Sequence, residues 1–160
     1  MARRDHYDAE SGTRFYNGNE ILFKGCLEAG ASLITGYPGS PVAEIFSILA
    51  DQAGLLKKNG IRASQANNEA QAAAMLNGAQ DAVAEAVAFM KSVGLHVAAD
   101  ALAIANYAGT SDEAGAVVVV GDDPALSSTQ VGADSRWLFR HLQMPTLAPV
   151  TFQDLKDWIA

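Results

Sequence analysis

The chain has 160 residues, of which 49% are hydrophobic but only 8% aromatic, and a formal net charge of −7. That is about one domain with a real core, and 11 basic against 18 acidic residues exclude nucleic acid and anionic membrane as natural partners, because both recruit clustered Lys and Arg. The lone Cys26 excludes an internal disulfide, a chain-borne iron–sulfur cluster and a thiolate zinc site. No apolar run reaches the roughly 18–20 residues of a membrane span and no signal peptide is visible, so a cytoplasmic protein is expected. Met1-Ala-Arg-Arg4 is locally basic and reads as a solvated terminus, while His6, His96 and His141 lack metal-ligand spacing.

Residues 1–16 are polar and turn-rich, a flexible lead-in to a domain spanning 17–160. Helical spacing of Ile21, Leu22, Gly25, Cys26 and Ala29 predicts a helix over 19–29 that stops at Gly30. A β-prone run at 31–35 ends in Gly36-Tyr-Pro-Gly-Ser-Pro41, where Ser40 is placed to cap a helix with Pro41 at its first position. That helix carries Val42, Ile45, Phe46 and Leu49 on one face. A second strand is expected at 61–65, then Asn67-Asn68 and an alanine-rich helix from Glu69 to about Ala79. The third strand, 86–90, runs into Lys91-Ser-Val-Gly94 and a helix to about Tyr107. Ala116-Val-Val-Val-Val120 reads as the clearest buried strand of the chain, followed by Gly121-Asp-Asp-Pro124. A helix near 134–142, a short strand at 146–150 and a helix from Phe152 complete the alternation.

Strands alternating with helices predict an α/β fold: a doubly wound, mostly parallel sheet with helices on both faces. Ligands of such sheets bind beyond the carboxyl ends of the strands. The loops at 36–40, 67–69, 91–94 and 121–130 all follow strands, so parallel pairing gathers them on one edge. No P-loop ending and no GxGxxG fingerprint is present. Asp122 and Asp123 read as loop caps rather than a metal site, and Lys91 with Ser92 as either an anion contact or a strand end. Glu69 has two readings. A glutamate after a capping asparagine favours the helix dipole. Alternatively, with Ala72, Ala73 and Leu76 beneath it on one helix face, its carboxylate stands over small apolar surface, a seat suited to a proton-sharing acid held against an apolar ligand.

Glu69-Ala-Gln-Ala-Ala-Ala-Met-Leu-Asn-Gly78 resembles the glutamate helix of pyrimidine-binding domains in thiamine diphosphate enzymes. Together with Gly36-Tyr-Pro-Gly-Ser-Pro41, Met90-Lys-Ser-Val-Gly-Leu-His-Val-Ala-Ala-Asp100 and Gly121-Asp-Asp-Pro124 followed by Ser127-Ser-Thr-Gln130, it resembles the 2-oxoacid:ferredoxin oxidoreductases, nearest the α subunit of the indolepyruvate enzymes. The resemblance runs from about Gly18 to the C-terminus. Ser40 stands where the family pattern has threonine, and Ser92 and His96 stand where it reads Lys-His-Val-Gly-Leu-Asn.

The resemblance implies that Glu69 hydrogen-bonds the pyrimidine ring of thiamine diphosphate and supports the imino form that removes the thiazolium C2 proton. It also implies that Tyr37, Pro38, Gly39 and Gly94 line the cofactor and that Ser40 contacts the carboxylate of a 2-oxoacid, with Lys91, Ser92 and His96 lining the substrate pocket. The reaction implied is oxidative decarboxylation to an acyl-coenzyme A, with electrons passing to ferredoxin. The family holds the diphosphate and Mg²⁺ with Gly-Asp-Gly and a later asparagine. Here Asp123 follows Gly121-Asp122 and no asparagine occurs after Asn106. The diphosphate-binding domain, Mg²⁺ and the iron–sulfur clusters are therefore expected on partner domains or subunits, in a hetero- or homo-oligomer. A short subunit of a non-oxidative 2-oxoacid decarboxylase and a non-catalytic assembly module are the alternative readings.

Overall fold

The computed structural model describes residues 6–160; the basic segment 1–4 lies outside them. Four strands form one all-parallel sheet in the order β2-β1-β3-β4: β1 is Leu33–Gly36, β2 Arg62–Gln65, β3 Ala86–Lys91 and β4 Ala116–Gly121. The helices are α1 (Gly18–Glu28), α2 (Glu44–Asp51), α3 (Ala53–Lys58), α4 (Glu69–Asp81), α5 (Ser92–Ala108), α6 (Arg136–His141) and α7 (Phe152–Asp157). The expected doubly wound α/β architecture is what forms.

Alternation along the strands sorts the core into two layers, because successive side chains point to opposite faces. Ile34, Val87 and Phe89 join Leu22, Phe23 and Cys26 of α1, Ile45 and Leu49 of α2 and Leu56 of α3. On the other face Ala86, Ala88 and Met90 meet Ala73, Leu76 and Ala79 of α4 and Leu95, Ala98 and Leu102 of α5. The second face mixes alanines with Leu76, Met90, Leu95 and Leu102, and its alanines let α4 and α5 lie close to the sheet and to each other. Tyr7 is also buried in the first layer, and the Lys24 ammonium donates to the carbonyls of Tyr7 and Ala9 at 2.8 and 2.9 Å, tying the segment before α1 to that helix.

Three expectations need correction. Ser40 caps no helix: α2 starts at Glu44 with Ala43 in the cap position and no side-chain cap. Instead Ser40 and Pro41, joined by a cis peptide, lie in a turn closed by Val42 N–H donating to the Gly39 carbonyl at 3.0 Å. Val117 to Val120 are only half-buried, because β4 is the outermost strand and pairs with β3 alone. Residues 146–150 form no strand; Pro145 and Pro149 lack the N–H groups a ladder needs. Between this exposed segment and β4 lies an open apolar groove of about 900 Å³.

Candidate functional site

The order β2-β1-β3-β4 places the topological switch between β1 and β3, since the chain leaves β1 toward β2 on one side and returns to β3 on the other. Ligands of open α/β sheets bind at such a point, beyond the carboxyl ends. Gly36 ends β1 there with φ of 146°. A Cβ on Gly36 would stand 2.1 Å from the Phe89 carbonyl oxygen of β3, so only glycine permits this approach. Tyr37 N–H donates to that same oxygen at 3.0 Å, and Ala66 N–H, just past β2, donates to the Gly36 carbonyl at 2.9 Å. A Cβ on Gly121, at the end of β4, would meet the Pro41 ring at 2.8 Å. The loops after all four strands thus touch one another.

Glu69 opens α4 at this edge. Its helix starts there because Asn68, extended at φ −162°, accepts from Gln71 N–H at 2.8 Å, while the Gln71 side chain accepts from Asn67 N–H at 2.7 Å. Behind it Ala72, Ala73 and Leu76 are buried, as their spacing predicts. Glu69 itself is only 7% exposed, and no hydrogen bond or ion pair among the described residues reaches its carboxylate. Its carboxyl end lies on Gly94, in the first turn of α5. A Cβ there would be 2.2 Å from Oε1 and 2.7 Å from Cδ.

A second pair lies alongside. Lys91 ends β3 and precedes α5, and its stem crosses Gly39, whose Cβ would stand 2.6 Å from the lysine Cδ. Lys91 is half-buried, and among the described residues no carboxylate pairs with it. Ser92 is buried as the first residue of α5, and Tyr37 and Pro38 are half-buried in the first loop. Ser40 is exposed in its turn and His96 is exposed one turn into α5; no hydrogen bond ties either of them to Glu69 or Lys91.

The paired acids after β4 serve the loop itself. Asp122 accepts from Ser135 N–H at 2.8 Å and from the Ser135 hydroxyl at 2.6 Å. Asp123 accepts from the amides of Ser127, Ser128 and Thr129, and these bonds, Ser128 foremost, hold its carboxyl below the usual aspartate range. Among the described residues no cluster of three or more His, Cys, Asp or Glu is arranged to hold a metal. Burial pushes the Cys26 thiol up to about 12. Sequence reasoning passed over Thr35, fully buried in β1, whose hydroxyl donates to the Ser64 carbonyl at 2.8 Å and lies 3.4 Å from the Met75 sulfur of α4. A lone hydroxyl in an apolar strand was the available signal. Thr35 thereby links the site helix to two strands.

No family model matches the chain. It is 38% identical over 152 residues to indolepyruvate oxidoreductase subunit IorA of Archaeoglobus fulgidus, covering 94% of this chain and 24% of the relative. The subunits of that name from Pyrococcus horikoshii and Methanothermobacter thermautotrophicus are 34% and 32% identical, covering 89% and 99% of this chain and 21% and 25% of theirs. Among solved structures, a 2-oxoglutarate:ferredoxin oxidoreductase from Magnetococcus marinus with 2-oxoglutarate, coenzyme A and succinyl-CoA bound superposes with a TM-score of 0.56 and 25% identity. That match covers 67% of this chain and 18% of the other. The chain spans about a quarter of the length of the curated relatives it matches. By sequence the chain is similar to about a quarter of the length of indolepyruvate oxidoreductase subunit IorA, and by fold to part of a 2-oxoglutarate:ferredoxin oxidoreductase.

Proposed function

We propose that this chain is the pyrimidine-binding half of a thiamine diphosphate-dependent 2-oxoacid:ferredoxin oxidoreductase acting on an arylpyruvate-like acid. The observation that carries the reading is Glu69: a buried side chain at the switch point of the sheet, whose carboxylate has no hydrogen bond or ion pair among the described residues. A carboxylate so placed is free to take a ligand as its partner, and a ring nitrogen bearing a proton supplies one. Gly94 leaves room for the Glu69 carboxyl group and Gly39 for the Lys91 stem, which brings both side chains close to backbone at this edge.

Glu69 holds and returns a proton at that ring nitrogen. Lys91, with its ammonium unpaired by any described carboxylate, and Ser40, with an exposed hydroxyl, are the groups for the substrate carboxylate; Ser92 and His96 lie further along α5. The bound cofactor supplies the electron sink for decarboxylation. Asp122 and Asp123 are engaged within their own loop and Cys26 is a buried thiol, which supports a reading in which the diphosphate, its Mg²⁺ and the iron–sulfur clusters are held by partner domains or subunits. The whole assembly would work in the cytoplasm as an oligomer, passing electrons to ferredoxin and the acyl group to coenzyme A.

The test is Glu69→Gln in the assembled enzyme, with exchange of the cofactor C2 proton followed by NMR in deuterium oxide. Glutamine keeps the size of the side chain and cannot relay the proton, so exchange should slow by about 10²–10⁴-fold while cofactor occupancy is kept. Exchange at the wild-type rate would leave Glu69 a helix-end residue and end this reading.

A further inference from the structure

Gly94 has no backbone reason to be glycine. It lies inside α5 with ordinary negative φ, where alanine is the better helix former. What the absent side chain makes room for is one group. The three nearest atoms to a Cβ at this position are Oε1, Cδ and Cγ of Glu69, at 2.2, 2.7 and 2.7 Å. No backbone atom and no other residue stands among them. Gly36 is the contrast, since a Cβ there would strike the Phe89 backbone and the demand for glycine is one of fold.

We propose that Gly94 is a positioning residue for the Glu69 carboxylate: the bare Cα of α5 is the floor on which the acid lies, and it fixes where the acid can place its proton. This rests on the proton-sharing role proposed for Glu69. Glu69 begins α4 and Gly94 lies in the first turn of α5, so the floor and the acid belong to helices that pack directly on each other. Carboxylate position is thus tied to how α4 and α5 meet, and the flexible glutamate stem does not have to find it unaided. The nearest atoms a methyl at 94 would overlap all belong to the Glu69 side chain, from Cγ outward. The chain would fold, the helices would stay packed, and the carboxylate alone would be pushed aside. Displacing a reacting group by about 1 Å can cost on the order of 10²-fold in rate, which sets the scale of the effect.

The experiment compares Gly94→Ala, Glu69→Ala and the double variant in the full assembled enzyme. Three quantities are read: C2 proton exchange of the bound cofactor, cofactor affinity by calorimetry, and the near-ultraviolet circular dichroism of the pyrimidine tautomers, which reports the acid's hold on the ring without turnover. Gly94→Ala should slow exchange by about 10²-fold and deplete the imino band, with affinity within about threefold of wild type. On the Glu69→Ala background the same change should alter exchange by less than about twofold, because the group it displaces is gone. Wild-type exchange and an unchanged band in Gly94→Ala, alongside slow Glu69→Ala, overturn the role of Gly94 and leave that of Glu69 standing. Wild-type exchange in Glu69→Ala overturns the underlying reading itself. Losses that add in the double variant overturn the proposal by showing that Gly94 acts on the cofactor by a route of its own.

Discussion

Ser40 is exposed in a turn and caps no helix, so binding and stability can be separated at this residue. Ser40→Ala should raise KM for the 2-oxoacid by the equivalent of about 1.5–3 kcal/mol, the worth of a hydrogen bond to a charged group. Its unfolding free energy should stay within about 0.5 kcal/mol of wild type. An unchanged KM would remove Ser40 from the substrate site. Cys26 makes the opposite case. Its thiol is buried and raised to about 12, so alkylation should proceed only as fast as the chain opens, and labelling kinetics against denaturant would track global unfolding. Because the folded value is raised, the buried thiol leaves stability untouched below the unfolded value, about 8.5, and lowers it as pH climbs from there toward 12. Glu69 and its cap Asn68 were legible in the sequence because helix-start chemistry is local. The contact between Glu69 and Gly94 was not: 25 positions separate them, and only the packing of α4 on α5 brings them together.

Among the elements, those with strong local signals formed close to their expected bounds, including α4 after Asn67-Asn68 and β3 up to Lys91. What failed depended on neighbours. A run of valines reports burial in general and says nothing of whether the strand sits in the middle of the sheet or at its end. Residues 146–150 have strand composition, yet Pro145 before them and Pro149 within them deny them a ladder. Gly36 is the element-scale hinge of the site, and Gly36→Ala should destabilise the domain by about 2–4 kcal/mol through positive φ and overlap with β3, read as a lower midpoint in urea. Asp123 organises the loop after β4. Its carboxyl is held below the usual range by the amides it accepts from, so its contribution is present above the unfolded value, about 3.9, and is lost as pH falls through the folded one. Hydrogen exchange should therefore show amides 127–129 protected at about pH 5 and released in stronger acid. Asp123→Asn should abolish that dependence, and equal protection at both pH values would show that other contacts hold the loop.

For the molecule as a whole, parallel α/β class and the gathering of four loops on one edge followed from alternation alone, whereas strand order, and with it the switch point, required the structure. Taken by itself, this chain should bind thiamine diphosphate only weakly even with Mg²⁺ present, because among the described residues no cluster of three or more His, Cys, Asp or Glu is arranged to hold the metal. Calorimetric titration checks this, and tight binding would refute a divided site. The two faces of the sheet also differ in what they can tolerate. Under α1 to α3 the filling is bulky, with Phe23 and Phe89; under α4 and α5 alanines stand among leucines and Met90, with Ala88 fully buried among them. The height of that helix pair above the sheet is thus set like a shim, by the thickness of single side chains. Two added methyls at Ala88, in Ala88→Val, would cost about 1–3 kcal/mol of overpacking and raise both helices together. Glu69 and its floor would keep their mutual fit while the pair moved away from Lys91 and the first loop. A catalytic loss with unaltered spectroscopy of the pyrimidine would mark the site as tunable from its far side, through the spacing of layers that no substrate touches.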